Sequence, residues 1–116
     1  MVDKKVLEQK LAKLMDEISE IEMLIALDNK GTVLVGQTIT EMDKTAIAKT
    51  ALDTFLKARV LGKSTAKGGV QAMTITMEKG SGCIVGNDAL IIVSIQGTDA
   101  MNSIALILRS IKSILA

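Results

Sequence analysis

Histidine, proline, tryptophan and tyrosine are missing from this chain, and phenylalanine and cysteine occur once each, as Phe55 and Cys83. Without histidine there is no histidine triad, no histidine metal site and no histidine general base, which removes most enzyme classes. A lone cysteine forms no intramolecular disulfide, and with no targeting segment that suits a reducing cytoplasm. One aromatic ring gives nucleic-acid bases almost nothing to stack on. Charge is balanced as well: 14 basic and 13 acidic residues leave a net +1 with no basic stripe, so the counterion-release drive toward nucleic acid is weak. The longest uninterrupted apolar run, Ala89 to Val93, is far short of the ~20 residues that span a bilayer. The N-terminal "MVDKKVLEQK" is charged and amphipathic, without a signal-peptide core. Neither membrane insertion nor nucleic acid is expected, and no cofactor or metal is implied.

What the chain does have is apolar surface. Hydrophobic residues make up 48% and mean hydropathy is +0.38, high for a small soluble monomer. A chain of 116 residues fits a single domain, 1–116, with one modest core. With a membrane set aside, the excess points to a partner subunit.

Periodicity orders the elements. Leu7, Leu11, Leu14 and Ile18 predict an amphipathic helix over 3–19, with Asp3 as its N-cap. Ile21 to Asp28 and Thr32 to Thr38 read as strands joined by "NKG", where Gly31 supplies a positive φ. A second helix is expected from Met42 to Leu61, with a polar ridge of Lys49, Asp53 and Lys57. Around that ridge Ile47, Ala48, Ala51, Leu52, Phe55, Leu56 and Ala58 cover more of the circumference than one sheet face can use. Such a surface usually marks an interface, and a self-complementary two-fold contact removes it from water. The polar loop "GKSTAKGG" leads to a strand at 71–77, a short strand from Cys83 to Val85, and a continuous apolar strand from Ala89 to Ile95 that helices must cover on both faces. A last helix carries Ile104, Leu108, Ile111 and Leu115, capped by Thr98 or Asp99. The order α-β-β-α-β-β-β-α, with hairpin-connected strands, predicts an α+β fold: a mainly antiparallel five-stranded sheet with helices on both faces.

The glycine motifs do not survive inspection. "LGKST" ends like a phosphate-binding loop, but the glycine required five residues before Gly62 is Lys57, and the stretch follows a helix instead of a strand. "GSGCIVG" has the wrong spacing for a dinucleotide fingerprint, and no helix follows it. Cys83 is expected in the sheet as a small packed hydrophobe. Of the seven methionines, Met42 and Met101 beside helix starts are the candidate surface contacts, and Met15, Met23, Met73 and Met77 fit the core.

Three stretches together resemble the Roadblock/dynein light chain superfamily. "LDNKGTVLV" is similar to its strand–Asp-x-x-Gly–strand hairpin, "NDALIIVSI" to its Asp-Ala aliphatic strand, and "TDAMNSIALILRSI" to the start of its last helix. The resemblance spans the whole chain in order and spacing, although Ser19-Glu20 stands where Pro-Gly is frequent and the fourth strand reads short. It implies a Roadblock-like sheet with the first and third helices on one face and the second on the other. It also implies dimers joined edge to edge through the third strand, with the second helices side by side. Ala51, Phe55, Ala58, Val70, Ala72, Thr74 and Thr76 would then form the interface. Relatives of this kind serve as platforms for Ras-like small GTPases, as subunits of motor or signalling scaffolds, or as GTPase activators in prokaryotes. A free-standing domain without targeting signals fits a prokaryotic source.

The first expectation is accordingly a non-enzymatic, cytoplasmic homodimer that regulates a small Ras-like GTPase. Lys49, Asp53 and Lys57, doubled by symmetry, would contact the GTPase. Arg59, near the end of the second helix, reads first as a solvated helix-end charge and second as a testable arginine finger, so any stimulation is expected to come from remodelling the GTPase's own site. The alternatives are a purely structural adaptor with no effect on a nucleotide cycle, and an enzyme or small-molecule sensor. A longin- or profilin-like fold is the structural alternative, separable by strand order.

Overall fold

A computed structural model describes residues 3–98 and 103–115. Its elements are α1 (Lys4–Glu17), β1 (Ile21–Asp28), β2 (Val33–Thr38), α2 (Lys44–Ser64), β3 (Ala72–Met77), β4 (Gly80–Gly86), β5 (Leu90–Gly97) and α3 (Ile104–Leu115). All pairings are antiparallel and the strand order is β2-β1-β5-β4-β3. The expected order of elements and the five-stranded antiparallel sheet are therefore present.

The central pair β1 and β5 is buried almost throughout. Leu24, Ala26, Cys83 and Ile92 face α1 and α3, joining Leu7, Leu11, Leu14, Ile107 and Ile111 in one core. Met23, Ile25, Ile84, Ile91 and Val93 face the other way and pack on Ala48, Ala51 and Phe55 of α2. Alternate residues of a strand point to opposite faces, so a strand covered on both is apolar without alternation.

Local chemistry sets the element ends. Asp3 accepts from the backbone N–H groups of Lys5 and Val6, capping α1 as expected, and Asp43 does the same for α2 from Ala46. Helix α2 does not stop at Leu61 but runs on to Ser64. Gly62 adopts no turn conformation; it is buried because the carbonyl of Gly68 packs where its Cβ would be. The stop comes later, where Ala66 takes φ 58° and the N–H groups of Ala66 and Lys67 bond back to Lys63 and Gly62. Strand β4 is also longer than expected, starting at Gly80 instead of Cys83. A Cβ at Gly80 would meet the Gln96 carbonyl at 2.5 Å, so this glycine permits close strand contact and does not form part of the turn. In α3 the side chains most fully covered are Ile107 and Ile111, with Ile104, Leu108 and Leu115 at the margin. Thr98 is exposed; Asp99 and Met101 lie outside the described residues.

The β1–β2 turn follows the expected chemistry. Gly31 has φ 88°, and Asp28 Oδ1 accepts from the N–H groups of Lys30 (2.9 Å) and Thr32 (3.0 Å). The Thr32 bond, then the Lys30 bond, holds the Asp28 carboxyl below its ordinary value. A lowered folded pKa contributes stability above the unfolded value near 3.8, and that contribution is lost as pH falls through the folded value. In denaturant titrations Asp28→Ala is therefore expected to cost stability at pH 7, with the gap to wild type closing below pH ~4. A gap independent of pH would show that the carboxylate plays no such part.

Candidate functional site

The two long flanks of α2 are treated differently. Ala48, Phe55 and Gly62, seven residues apart, are buried toward the sheet. Ile47, Ala51, Thr54, Ala58 and Leu61, at spacings of 4, 3, 4 and 3, form a stripe on one side of the helix. The first three of these wall an apolar groove of about 290 Å³, whose other side is Ile75 and Met77 of β3 and whose floor includes Ile84 and Val93. The small residues Ala46, Ala51 and Gly82 keep the groove open. Leu61, 65% exposed, extends the same stripe beyond it.

Beside the groove lies a free sheet edge. Among the described residues strand β3 pairs only with β4 and has no neighbour on its other side. Gly86 donates its N–H to the Gln71 carbonyl at 3.0 Å. The alternation of an antiparallel ladder then assigns Gln71, Met73, Ile75 and Met77 to pairs that exchange bonds with β4. Ala72, Thr74 and Thr76 turn their backbone N–H and C=O groups outward, where they meet no strand among the described residues.

The solvent face of α2 carries Lys49, Asp53 and Lys57, all exposed. Leu56 lies on this side of the helix, and Val60 stands 61% exposed one turn after it. Sequence reasoning missed Val60 and Leu61 as surface groups, because an apolar residue near a helix end reads as core until the end of the sheet beneath it is known.

The anticipated interface and contact residues fall in different surroundings. Ala58 is partly covered on the groove side, and Val70 and Ala72 are partly covered at the start of β3. Thr74 and Thr76 are exposed on the free edge. Phe55 is a correction: its ring is fully buried between α2 and the sheet, leaving no surface for a second subunit. Ala51 is nearly as covered and reaches solvent only through the groove. Arg59 is not a solvated helix-end charge. Its guanidinium carbon lies 5.1 Å from the centroid of the Phe55 ring, and its Nη2 is 3.5 Å from Asp88 Oδ1. Met42 is half-buried against the α2-side core, not a free surface group. Cys83 is a buried free thiol, to which Gln96 Nε2 donates at 3.4 Å. Among the described residues no three acidic, cysteine or histidine side chains are grouped to hold a metal, and no helix is long and apolar enough to cross a membrane.

No family model and no curated protein matches the sequence. Comparison of the fold is more informative. The chain superposes on an MglB with tetrameric arrangement with a TM-score of 0.85 at 13% identity, covering 96% of this chain and 86% of that one. MglB from Myxococcus xanthus gives 0.84 at 14% identity, covering 98% and 86%. A Roadblock/LC7 domain from Streptomyces avermitilis gives 0.76 at 13% identity, covering 93% and 96%. Near-complete coverage at such low identity carries the architecture, and the fold is Roadblock-like.

Proposed function

We propose that this Roadblock-fold chain works as a two-fold homodimer whose paired α2 surfaces bind a small Ras-like GTPase and modulate its nucleotide cycle. One observation carries the dimer: the unpaired backbone edge at Ala72, Thr74 and Thr76, the open apolar groove and the exposed Leu61 all lie on the β3 side of α2. A second copy related by a two-fold axis perpendicular to the sheet at that edge would extend the sheet and bring the two α2 helices together over it. The apolar excess then has a destination. Val70, Ala72, Thr74, Thr76 and Ala58 are the interface positions in this arrangement, with Ala51 reached through the groove.

The GTPase reading rests on the resemblance of sequence and fold to Roadblock proteins, joined to the solvent face of α2. Lys49, Asp53 and Lys57 give that face alternating charge, and Val60 gives it an apolar centre that a dimer would present twice. The chain acts as a binding module, not an enzyme. Arg59 is engaged by Phe55 and Asp88 of its own chain. Stimulated hydrolysis would therefore come from reshaping the GTPase's own site and not from an inserted arginine. The buried free thiol of Cys83 is at home in a reducing cytoplasm.

The test is to titrate the dimer against Ras-like GTPases of the same genome, loaded with GDP or a GTP analogue, following binding, mass and hydrolysis together. Nucleotide-dependent binding with two copies of this chain per complex is expected. Lys57→Glu combined with Val60→Asp should weaken it at least ~10-fold, about 1.4 kcal/mol, while leaving the dimer intact. A dimer that ignores every GTPase in both states would refute the regulator and leave the structural adaptor.

A further inference from the structure

A second cleft, of about 430 Å³, lies at the other end of the α2–sheet contact. It is bordered by the C-terminal half of α2 on one face of the sheet, by that of α3 on the other, and between them by the segment leading into β3 and the β4–β5 turn. Two cations from different elements line it, Arg59 of α2 and Lys112 of α3, and Asp88 in the β4–β5 turn is its one acidic residue. Val70, Val85 and Leu115 supply apolar wall.

Arg59 is held in place but poorly satisfied. The Phe55 ring supports one face of its guanidinium, and its side chain is 29% exposed. Its Nε is buried and has no hydrogen-bond partner among the described residues. Its one carboxylate contact, to Asp88, is 3.5 Å long, outside the ~2.7–2.9 Å of a charge-assisted hydrogen bond, and the Asp88 side chain is fully exposed. A guanidinium stays charged and offers five donors, so partial burial with one loose partner is a cost that a better-placed anion would relieve. Asp88 can leave freely: the turn around it is held by Asn87 Oδ1, which accepts from the N–H groups of Ala89 and Leu90 at 2.9 Å, not by the Asp88 side chain.

The geometry points to a binding site for a carboxylate carried beside a small apolar group. Arg59 takes the carboxylate in place of Asp88, Lys112 of α3 adds positive charge to the same cleft, and the apolar group lies on Val70, Val85 and Leu115. A monoanion is favoured over a phosphate dianion because it exchanges for Asp88 charge for charge, whereas a dianion adds repulsion from the Asp88 carboxylate. The carboxylate has two sources of the same chemistry, the C-terminus of a polypeptide and a free short-chain acid. The site borders the proposed dimer edge through Val70 and does not rest on the GTPase reading.

The experiment follows backbone amide shifts of Gly69, Gln71 and Asn87 in the isotope-labelled full chain. The probes are N-acetyl-leucine, N-acetyl-leucinamide, acetyl-Gly-Gly-Leu and inorganic phosphate. Both acids should shift these amides saturably and the amide should not. Asp88→Asn, which removes the competing carboxylate, should tighten the acids by about two- to fivefold, the size of an exposed ion pair's coupling. Lys112→Gln should weaken them by a similar factor, with the mass in solution unchanged in both variants. Tighter binding of the peptide identifies a polypeptide C-terminus as the source, and equal binding identifies a free acid. Equal shifts with the acid and its amide, a response to phosphate as strong as to the acids, or an Asp88→Asn variant with unchanged affinity would each overturn the site.

Discussion

Thr74→Pro is expected to halve the mass of the protein in solution while leaving each chain folded. Thr74 lies at the centre of β3, its side chain is exposed, and its N–H points away from β4. Proline there removes one outward donor and places a ring in the path of any strand that would pair with this edge, yet takes nothing from the β3–β4 ladder. Proline is tolerated on an edge strand for that reason. Met73→Pro, one residue away, removes an N–H that β4 uses, so it should cost stability as well as assembly. Light scattering and circular dichroism on the pair separate the two effects. A Thr74→Pro variant that stays dimeric would show that the contact is made elsewhere. Should Thr74→Pro unfold, Leu61→Glu offers a second route to the same edge, because its side chain is 65% exposed and its charge costs the isolated chain little.

The second large effect is at Phe55. Phe55→Ala should destabilise the fold by about 3–5 kcal/mol, a large part of the ~5–15 kcal/mol that holds a domain together. The ring is the largest fully buried side chain, and it fills space against Gly86, where a Cβ would come within 3.1 Å of the ring. Its loss also takes the platform from under Arg59. An interface residue would behave differently, changing the mass and making stability depend on concentration. Measured by denaturant titration in the Thr74→Pro background, where association is removed, the full cost should persist. A loss below ~1 kcal/mol in that background would return Phe55 to the interface.

The same residue shows where sequence reading reached its limit. That α2 carries too much apolar surface was legible, because its ridge of Lys49, Asp53 and Lys57 is narrow and the remainder is oily. Which apolar residues face the sheet and which face outward was not. Ala51, Phe55 and Ala58 share a helical stripe, and periodicity says nothing of how the helix is rotated on its sheet. Rotation came from the long-range packing of Phe55 on Ile84 and Ile91. Leu61 and Val60, equally apolar, were left in solvent. The β4 boundary failed for a related reason. Gly80, Ser81 and Gly82 carry turn chemistry in isolation, and only pairing with Gly97, Gln96 and Ile95 of β5 makes them strand. Arg59 and Asp88 lie 29 positions apart, so their contact had no local signal at all.

By itself, then, the sequence determined the element order, the double covering of β1 and β5, the cap at Asp3, the turn at Gly31, and an apolar surplus on α2. These follow from local spacing and composition, which a strand or helix expresses wherever it is placed. The tertiary structure alone decided that β1 lies beside β5 and that Phe55 belongs to the core while Leu61 does not. Each depends on contacts between residues far apart in the chain, where many pairings bury similar apolar area and only the mutual fit of sheet and helices selects one.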